Sequence, residues 1–138
     1  MIAIDTSALI AIHGNEPERH DFVRAIGSVA RSLISAGTVL ETSLVLMGRS
    51  RAPATICERL DRWLARAAVE VVSFDAEQMS AARAAFLHYG KGRHPAAALN
   101  FGDCISYALA KTHGLPLLYK GEDFAHTDLE PALPLWQR

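Results

Sequence analysis

The chain has 138 residues, of which 50% are hydrophobic and 21% are charged, and its formal net charge is −1. This length predicts a single domain over residues 1–138, large enough to fold without a disulfide or a structural metal. The near-neutral charge excludes a protein that coats nucleic acid through a general basic excess. A nucleic-acid enzyme stays open, because its basic residues can be local and its acids can be neutralised by a metal.

Two features bear on the compartment in which the protein works. Cys57 and Cys104 are far apart in apolar helical patterns, which favours buried free thiols in a reducing compartment. The apolar start at Met1 has no basic leader and is interrupted by Asp5, so no signal peptide is expected. No apolar run is long enough to span a bilayer. We therefore expect a cytoplasmic protein.

Short apolar runs alternate with helical patterns along the chain. Strands are predicted at residues 1–5, 31–35, 69–74, 117–119 and, with prolines inside or beside it, 132–136. Helices are predicted at residues 7–14, 16–26, 37–47, from 53 onwards, 76–89 and from 100 or 103 to 114. This alternation predicts an α/β fold, a three-layer sandwich whose central, mostly parallel sheet has four to five short strands and helices on both faces.

Two of these helices carry further expectations. Thr6 or Ser7 is expected to cap the first helix, because hydroxyl side chains accept hydrogen bonds from free amides at a helix start. The helix at 37–47 is apolar nearly all round, so we expect it to be central. Such a helix leaves little room for the charged side chain of Glu41.

Three carboxylates are isolated within apolar segments that are predicted to form the core. No other Asp, Glu, Lys or Arg lies within seven positions of Asp5, Glu41 or Asp103. Burying a lone ionised carboxylate is costly, so three of them predict a shared partner, and a metal cation is the simplest one. Oxygen ligands suit Mg²⁺ or Mn²⁺ rather than zinc. Since such an ion activates water and stabilises charge on phosphate, the pattern favours metal-assisted phosphodiester hydrolysis.

Each of these acids also has a purely structural interpretation. Asp5 can cap a helix at a strand–helix turn, and Asp103 can be the acid that the dipole of a helix N-terminus favours. Glu41 can pair with a buried Arg or lie at the edge of the core. These alternatives stay open on the residues alone.

A fourth acid is sought after the last strand of the predicted sheet. Glu122, Asp123 and Asp128 follow that strand, and a solvated turn is the alternative for each. Asp123 precedes Phe124, an apolar side chain that can anchor the loop. The residues alone leave the choice among the three acids open.

The polar loop GKGRHP supplies candidate contacts to a nucleic-acid backbone. Lys91, Arg93 and His94 can reach phosphates, although a solvated loop is the simpler interpretation. No Ser or Thr follows the Lys, so the loop is not a Walker A motif, and the chain has no HExxH, CxxC or GxSxG pattern. The lack of a glycine-rich phosphate loop also argues against a nucleotide-handling enzyme of another family.

Three segments, MIAIDTSALIAI, TVLETSLVL and HPAAALNFGDCISYALAKTHGLPLLYKGEDFAHTDL, resemble the PIN-domain ribonucleases and especially the VapC-type toxins of bacterial toxin–antitoxin pairs. The resemblance runs nearly end to end, and its last segment is the most specific. It implies a PIN-like fold and a Mg²⁺- or Mn²⁺-dependent endoribonuclease that hydrolyses RNA in an acidic pocket. It also implies a homodimer, an RNA substrate with transfer RNA as a candidate, and silencing by a small VapB-type antitoxin.

The resemblance also assigns roles to residues of this chain. Asp5, Glu41 and Asp103 match the first three family acids. Because Gly121 stands where many members carry an acid, Asp123 is assigned as the fourth catalytic acid, with Asp128 in reserve. Asp5 and Asp103 are then the direct metal ligands. Glu41 and Asp123 act through water or orient the nucleophile.

Two polar neighbours and one alternative complete the expectations. Thr6 and Asn100 are expected to orient the acids by hydrogen bonds. Because Gly121 leaves the fourth acid in question, the alternative is a PIN-like module that binds RNA or an antitoxin without cleaving.

Overall fold

The computed structural model describes residues 1–134, in which six helices surround a four-stranded parallel sheet. The strands are β1 (Ile2–Ile4), β2 (Ser32–Ser35), β3 (Val69–Val72) and β4 (Leu117–Leu118). The helices are α1 (Thr6–His13), α2 (Arg19–Gly27), α3 (Ala36–Gly48), α4 (Pro53–Arg66), α5 (Ala76–Tyr89) and α6 (Phe101–His113). The predicted α/β class and parallel sheet are confirmed.

The order of the strands places two loops side by side. The sheet runs β3-β2-β1-β4, and every neighbouring pair is parallel. The chain therefore moves outward from β1 to β3 and then returns to add β4 on the other side of β1. Parallel sheets bind ligands outside the carboxyl ends of strands at such a reversal. Asp5 directly follows β1 at this position, and residues 119–123 follow β4.

Apolar side chains cover both faces of the sheet. Ile2 and Ile4 pack on one face with side chains of α1, α2 and α4. Ala3 points to the opposite face and packs with side chains of α5 and α6. Because neighbouring residues of a strand point to opposite faces, even this short strand contributes to both layers. The three layers of the predicted sandwich are thus helices, sheet and helices.

Small side chains let α3 approach α6 closely. A Cβ on Gly37 would lie 3.1 Å from a side-chain carbon of Ile105, so the two helices touch where this glycine lies. One position further, the hydroxyls of Thr38 and Ser106 are 3.2 Å apart and hydrogen-bonded in the buried interface. This contact brings the side of α3 that carries Glu41 to the first turn of α6.

The expectation that this helix is central and surrounded by apolar contacts was wrong. The side chains of Leu40 and Leu44 are 60% and 57% exposed. Its buried positions are Thr38, Thr42 and Leu46. The hydroxyls of α3 are compatible with burial because they are hydrogen-bonded, as in the bond from Thr42 Oγ1 to the Thr38 carbonyl (2.9 Å). Leu40 and Leu44 therefore face outward, whereas Leu46 is buried.

The predicted edge strand at residues 132–136 is reduced to a single bridge within the described part of the chain. Pro131 forms an isolated parallel bridge with Leu117. The Leu117 N–H donates to the Glu130 carbonyl (2.9 Å), and the Ala132 N–H donates to the Leu117 carbonyl (2.8 Å). Residues 132–134 form no strand, and the remainder of the prediction, including Trp136, lies outside the described residues.

Two expectations about the compartment can be compared with the structure. Cys104 is a buried free thiol, as predicted, whereas the free thiol of Cys57 is only half-buried. Within residues 1–134, none of the helices combines the length and apolar character needed to traverse a bilayer.

Candidate metal-binding acidic site

Asp5 follows β1 and caps α1 with its own side chain. Its Oδ2 accepts hydrogen bonds from the Ser7 backbone N–H (2.9 Å) and from Ser7 Oγ (2.6 Å). The expectation that Thr6 or Ser7 supplies this cap was therefore wrong. Asp5 Oδ1 is buried and has no hydrogen-bond partner within the described residues. Leaving a buried carboxylate oxygen unpaired is costly, which is the condition that a cation would relieve.

Ser7 joins the carboxyl ends of the two central strands. Its hydroxyl donates to Asp5 after β1 and accepts a hydrogen bond from the backbone N–H of Lys120 after β4 (2.9 Å). The Lys120 ammonium lies 3.2 Å from Glu16 and 3.1 Å from Glu18. Sequence reasoning assigned Ser7 only a capping role and missed this connection, because pairing of β1 with β4 is a tertiary property.

Glu41 lies on α3 and points its carboxylate at the start of α6. The Thr6 hydroxyl donates a hydrogen bond to Glu41 Oε1, the kind of contact expected of a residue that orients this acid. The other carboxylate oxygen lies where a Cβ of residue 102 would be, only 2.0 Å from that position. The alternative of a buried Arg partner is not found, since the ion pairs among residues 1–134 do not include Glu41.

Asp103 lies in the first turn of α6 and forms a reciprocal cap with Asn100. The Asn100 N–H donates to Asp103 Oδ2 (3.0 Å), and the Asp103 N–H donates to Asn100 Oδ1 (2.9 Å). The backbone of Asn100 therefore orients the Asp103 carboxylate, while the Asn100 side chain accepts from the helix. The capping interpretation of Asp103 is correct, and it does not compete with a role at the site.

The pKa of Asp103 is affected by the charges of the other three predicted acids, which therefore lie near it. Burial raises the pKa of Asp103 to about 7, and the negative charges of Asp5, Asp123 and Glu41 add to the rise against the opposing Asn100 N–H. The ionised form of Asp103 is therefore disfavoured in the folded chain, and a nearby cation would favour it. The structure thus brings the three isolated acids to one edge of the sheet, with Asp123 beside them.

The two candidates for the fourth acid lie in different surroundings. Asp123 is exposed, and its negative charge contributes to the raised pKa of Asp103. Asp128 accepts a hydrogen bond from the Tyr107 hydroxyl (2.7 Å) and an ion pair from Lys111. Those contacts engage Asp128 with later turns of α6, and Asp128 is not among the acids that raise the pKa of Asp103, so the geometry favours Asp123.

The turn after β4 explains the glycine that departs from the family pattern. Gly121 has φ of 94°, a left-handed conformation that side chains other than glycine rarely adopt. Phe124 is buried and its ring centroid lies 5.1 Å from that of Tyr119, so it anchors the loop as predicted. Asp123 is held between these two features.

The basic loop before α6 offers two exposed cations. Lys91 and Arg93 are exposed, and the Arg93 guanidinium lies 5.9 Å from the centre of the Phe86 ring. His94 is half-buried, and its Nδ1 accepts hydrogen bonds from the backbone N–H groups of Ala96 (3.1 Å) and Ala97 (2.9 Å). That nitrogen therefore shapes the loop, which leaves Lys91 and Arg93 as the better candidates for contacts to phosphate.

The acids fit a divalent cation as a pair of carboxylates surrounded by further charge. Within residues 1–134, no three or more His, Cys, Asp and Glu side chains are grouped so that they could hold a metal ion. Mg²⁺ is commonly bound through one or two carboxylates and keeps several waters, so this arrangement is sufficient. The unpaired Oδ1 of Asp5 and the raised pKa of Asp103 make these two side chains the candidate oxygen ligands.

Comparison with known proteins finds relatives that cover nearly the whole chain. The PIN domain family matches residues 2–130. VapC ribonuclease Mb0640 of Mycobacterium bovis is 51% identical over 134 residues, which are 96% of this chain and 100% of that protein. Ribonuclease VapC of Mycolicibacterium smegmatis is 48% identical over 128 residues, which are 93% of this chain and 97% of that protein.

Solved structures share the fold at lower identity. VapC20 of Mycobacterium tuberculosis, described as a sarcin-ricin loop cleaving toxin, has a TM-score of 0.73 at 19% identity and covers 97% of this chain and 100% of its own. VapBC2 from Rickettsia felis, bound to a promoter DNA fragment, has a TM-score of 0.73 at 14% identity and covers 95% of this chain and 97% of its own. At these identities the structures support the PIN-like architecture.

Three independent properties now agree. The parallel sheet has its reversal at β1 and β4, the isolated acids meet at that edge, and the aligned relatives extend over nearly the full chain. The chain belongs to the PIN-domain family, among the VapC ribonucleases.

Proposed function

We propose that this protein is a metal-dependent endoribonuclease toxin whose residues 1–138 form one PIN-like domain. It hydrolyses RNA phosphodiester bonds in the acidic site and is neutralised by a cognate antitoxin. The observation that carries the proposal is the convergence of Asp5, Glu41, Asp103 and Asp123 at the carboxyl edge of the sheet, where the other three acids add to the effect of burial on the pKa of Asp103. Four carboxylates gathered at a sheet edge are stabilised by a proton or by a cation, and a hard cation among carboxylates suits chemistry on phosphate.

Asp5 and Asp103 would hold Mg²⁺ or Mn²⁺. The bound ion supplies positive charge that stabilises the scissile phosphate and lowers the pKa of an attacking water. Asp5 is fixed for this role by two hydrogen bonds from Ser7 to its Oδ2, which leave Oδ1 directed away from the cap. Asp103 is fixed by the Asn100 N–H.

Glu41 and Asp123 would orient the attacking water and accept its proton. The Thr6 hydroxyl holds one oxygen of Glu41, so the other oxygen has a defined direction. Asp123 is exposed at the mouth of the site, where an RNA backbone can approach. Lys91 and Arg93 would contact phosphates further along the RNA, which favours binding through charge without selecting bases.

The direct test is cleavage of RNA by the purified protein. Single-stranded RNA, a structured RNA and transfer RNA are incubated with the protein in Mg²⁺, in Mn²⁺ and in excess chelator. We expect internal cleavage with one or both ions and none with chelator. Absence of cleavage with every RNA and both ions would contradict the proposed activity.

A variant pair identifies the fourth acid. Asp123→Asn removes a charge beside Asp103 and is expected to lower the cleavage rate by about 10- to 100-fold, the range typical for groups that support a metal site. Asp128→Asn loses the Lys111 ion pair at a half-exposed position, so it is expected to change the free energy of unfolding by less than about 1 kcal/mol. Its cleavage rate is expected to stay close to that of the wild type. Initial rates and thermal unfolding of both variants are measured together. The reverse ranking of the two rates would assign the role to Asp128.

The proposed partners are a VapB-type antitoxin and a second copy of the chain, in the cytoplasm. Solved neighbours include a toxin–antitoxin complex from Klebsiella pneumoniae and VapBC from Salmonella typhimurium. Several large apolar side chains are exposed on α3, α5 and α6, which suits an interface between protein chains: Leu40, Leu44, Phe86, Leu87 and Phe101. Sedimentation of the protein alone and with a co-expressed antitoxin distinguishes the assemblies.

The alternative is a module that binds RNA or antitoxin without cleaving. The observation that favours it is Gly121, which leaves no carboxylate directly after Lys120. Calorimetric titration with millimolar Mn²⁺ separates the two proposals. A measurable affinity that is lost in chelator favours the enzyme, whereas RNA binding without metal affinity favours the module.

A further inference from the structure

We infer that Gly102 is a positioning residue for Glu41, because the space left by its missing side chain holds the Glu41 carboxylate. The inference rests on the proposed nuclease function for its catalytic consequence. Its structural part, the fixed position of the carboxylate against α6, is independent of that function.

The space at Gly102 is filled by the Glu41 carboxylate. A Cβ added at residue 102 would lie 2.0 Å from Glu41 Oε2 and 2.5 Å from both the carboxyl carbon and Oε1. Real Cβ atoms do not approach other heavy atoms this closely, so a methyl group and the carboxylate exclude each other. The three nearest atoms are all from Glu41, so its side chain is the first that the substitution must displace.

Backbone conformation does not explain the glycine. Gly102 lies in the first turn of α6, and its φ is outside the positive range in which Gly92, Gly114 and Gly121 lie. An alanine would suit this helical position slightly better, since glycine costs roughly 0.5–1 kcal/mol relative to alanine in a helix interior. Gly102 is therefore required for the space that it leaves open and not for its backbone conformation.

The pocket gives the carboxylate a second fixed contact. One Glu41 oxygen accepts from the Thr6 hydroxyl at the start of α1, and the carboxylate lies against the first turn of α6. A helix N-terminus carries partial positive charge and favours an anion there. Glu41, which extends from α3, is thus held between the N-termini of two other helices beside Asp103.

Gly102→Ala is expected to remove Glu41 from this position while the fold is kept. The Glu41 side chain is long and can rotate away from the added methyl group. The substitution is therefore expected to misplace the carboxylate without disturbing the packing of the core. Because a displacement of about 1 Å at a reacting group can lower rates by about 100-fold, we expect a 10- to 100-fold loss of cleavage with unchanged or higher thermal stability. Gly48→Ala in α3 is the matched control, since a Cβ there meets nothing within 4 Å.

A double variant separates positioning from a general effect on α6. Glu41→Asp shortens the side chain by one methylene, so its carboxylate does not reach the space over residue 102. Cleavage is expected to fall in Glu41→Asp and to fall no further when Gly102→Ala is added, because both changes act on one group. Losses that multiply in the double variant would overturn the inference.

A readout without catalysis tests the structural part. With threonine methyls labelled, the Thr6 methyl resonance reports whether its hydroxyl still donates to Glu41. We expect this resonance to shift in Gly102→Ala, to shift likewise in Glu41→Ala, and to stay in place in Gly48→Ala. An unmoved Thr6 resonance in Gly102→Ala would overturn the inference. If the wild-type protein cleaves no RNA, the proposed function fails and this resonance still decides the role of Gly102.

Discussion

Asp103→Asn is expected to lower RNA cleavage at least about 1,000-fold while leaving the metal-free protein at least as stable as the wild type. A bound cation contributes several kcal/mol to phosphoryl chemistry, and each 1.36 kcal/mol corresponds to a factor of ten in rate. If Asp103 is a ligand as proposed, replacing its carboxylate by an amide removes most of that contribution.

Stability should not follow activity in this variant. The Asn side-chain oxygen can still accept from the Asn100 N–H, and the backbone N–H of residue 103 still donates to Asn100 Oδ1. The amide also ends the repulsion by Asp5, Asp123 and Glu41, which, with burial, raises the pKa of Asp103. Cleavage rates and chemical denaturation, both at neutral pH, measure the two effects.

Asn100→Ala provides the complementary control. It removes the side-chain acceptor of the cap, so it should lower the free energy of unfolding by about 1 kcal/mol. Because it keeps the Asp103 carboxylate, it should lower the cleavage rate far less than Asp103→Asn does. If Asp103→Asn instead unfolded the protein or cleaved RNA like the wild type, Asp103 would be a capping residue only.

The metal-free protein is expected to become less stable as the pH rises from about 4 to about 7. Burial and three neighbouring carboxylates raise the pKa of Asp103 from 3.8 to about 7 in the folded state. Between these values the folded chain binds more protons than the unfolded chain, so the free energy of unfolding falls with rising pH. A rise of about 3 units at 1.36 kcal/mol each sets an upper limit of about 4 kcal/mol.

A divalent cation should reverse this loss. Binding to the ionised carboxylates stabilises the folded state, by about 2.7 kcal/mol when the ion is present at 100 times its dissociation constant. Thermal unfolding from pH 4 to 8, with chelator and with Mn²⁺, measures both slopes.

Another titrating group requires a matched comparison. Burial, with Arg19 nearby, lowers the pKa of His13, so its effect on stability rises with pH and opposes that of Asp103. The difference between wild type and Asp103→Asn cancels this background. A stability difference that does not depend on pH would show that Asp103 is not the titrating group.

The sequence predicted the architecture because local signals sufficed for it. β-Branched and apolar runs specify the four strands, and Asp75 at one helix start and Gly114 at one helix end fit the observed caps. The three acids were found because isolation of charge within apolar segments is visible in one dimension. Their convergence needed a parallel sheet, which the alternation of elements also indicated.

What the sequence did not predict depends on contacts between distant segments. Asp5 is both cap and candidate ligand, although the neighbouring hydroxyls seemed to make its capping role unnecessary. Ser7 acquires its second partner only when β4 lies beside β1. The exposure of Leu40 and Leu44 was not predictable either, because α3 packs against α6 through the hydroxyls of Thr38 and Ser106.

The ion pairs of Lys120 have a consequence for the order in which ligands arrive. This lysine follows β4 at the acidic edge, yet its charge is shared by Glu16 and Glu18. Lys120, Glu16 and Glu18 together carry a formal charge of minus one. The neighbouring acids contribute no positive charge to offset it: Asp5, Glu41, Asp103 and Asp123. A polyanion such as RNA is repelled by this field until small cations have entered it. On the proposed function, metal loading precedes RNA engagement, and the supply of free cation sets how much of the protein is competent to bind its substrate.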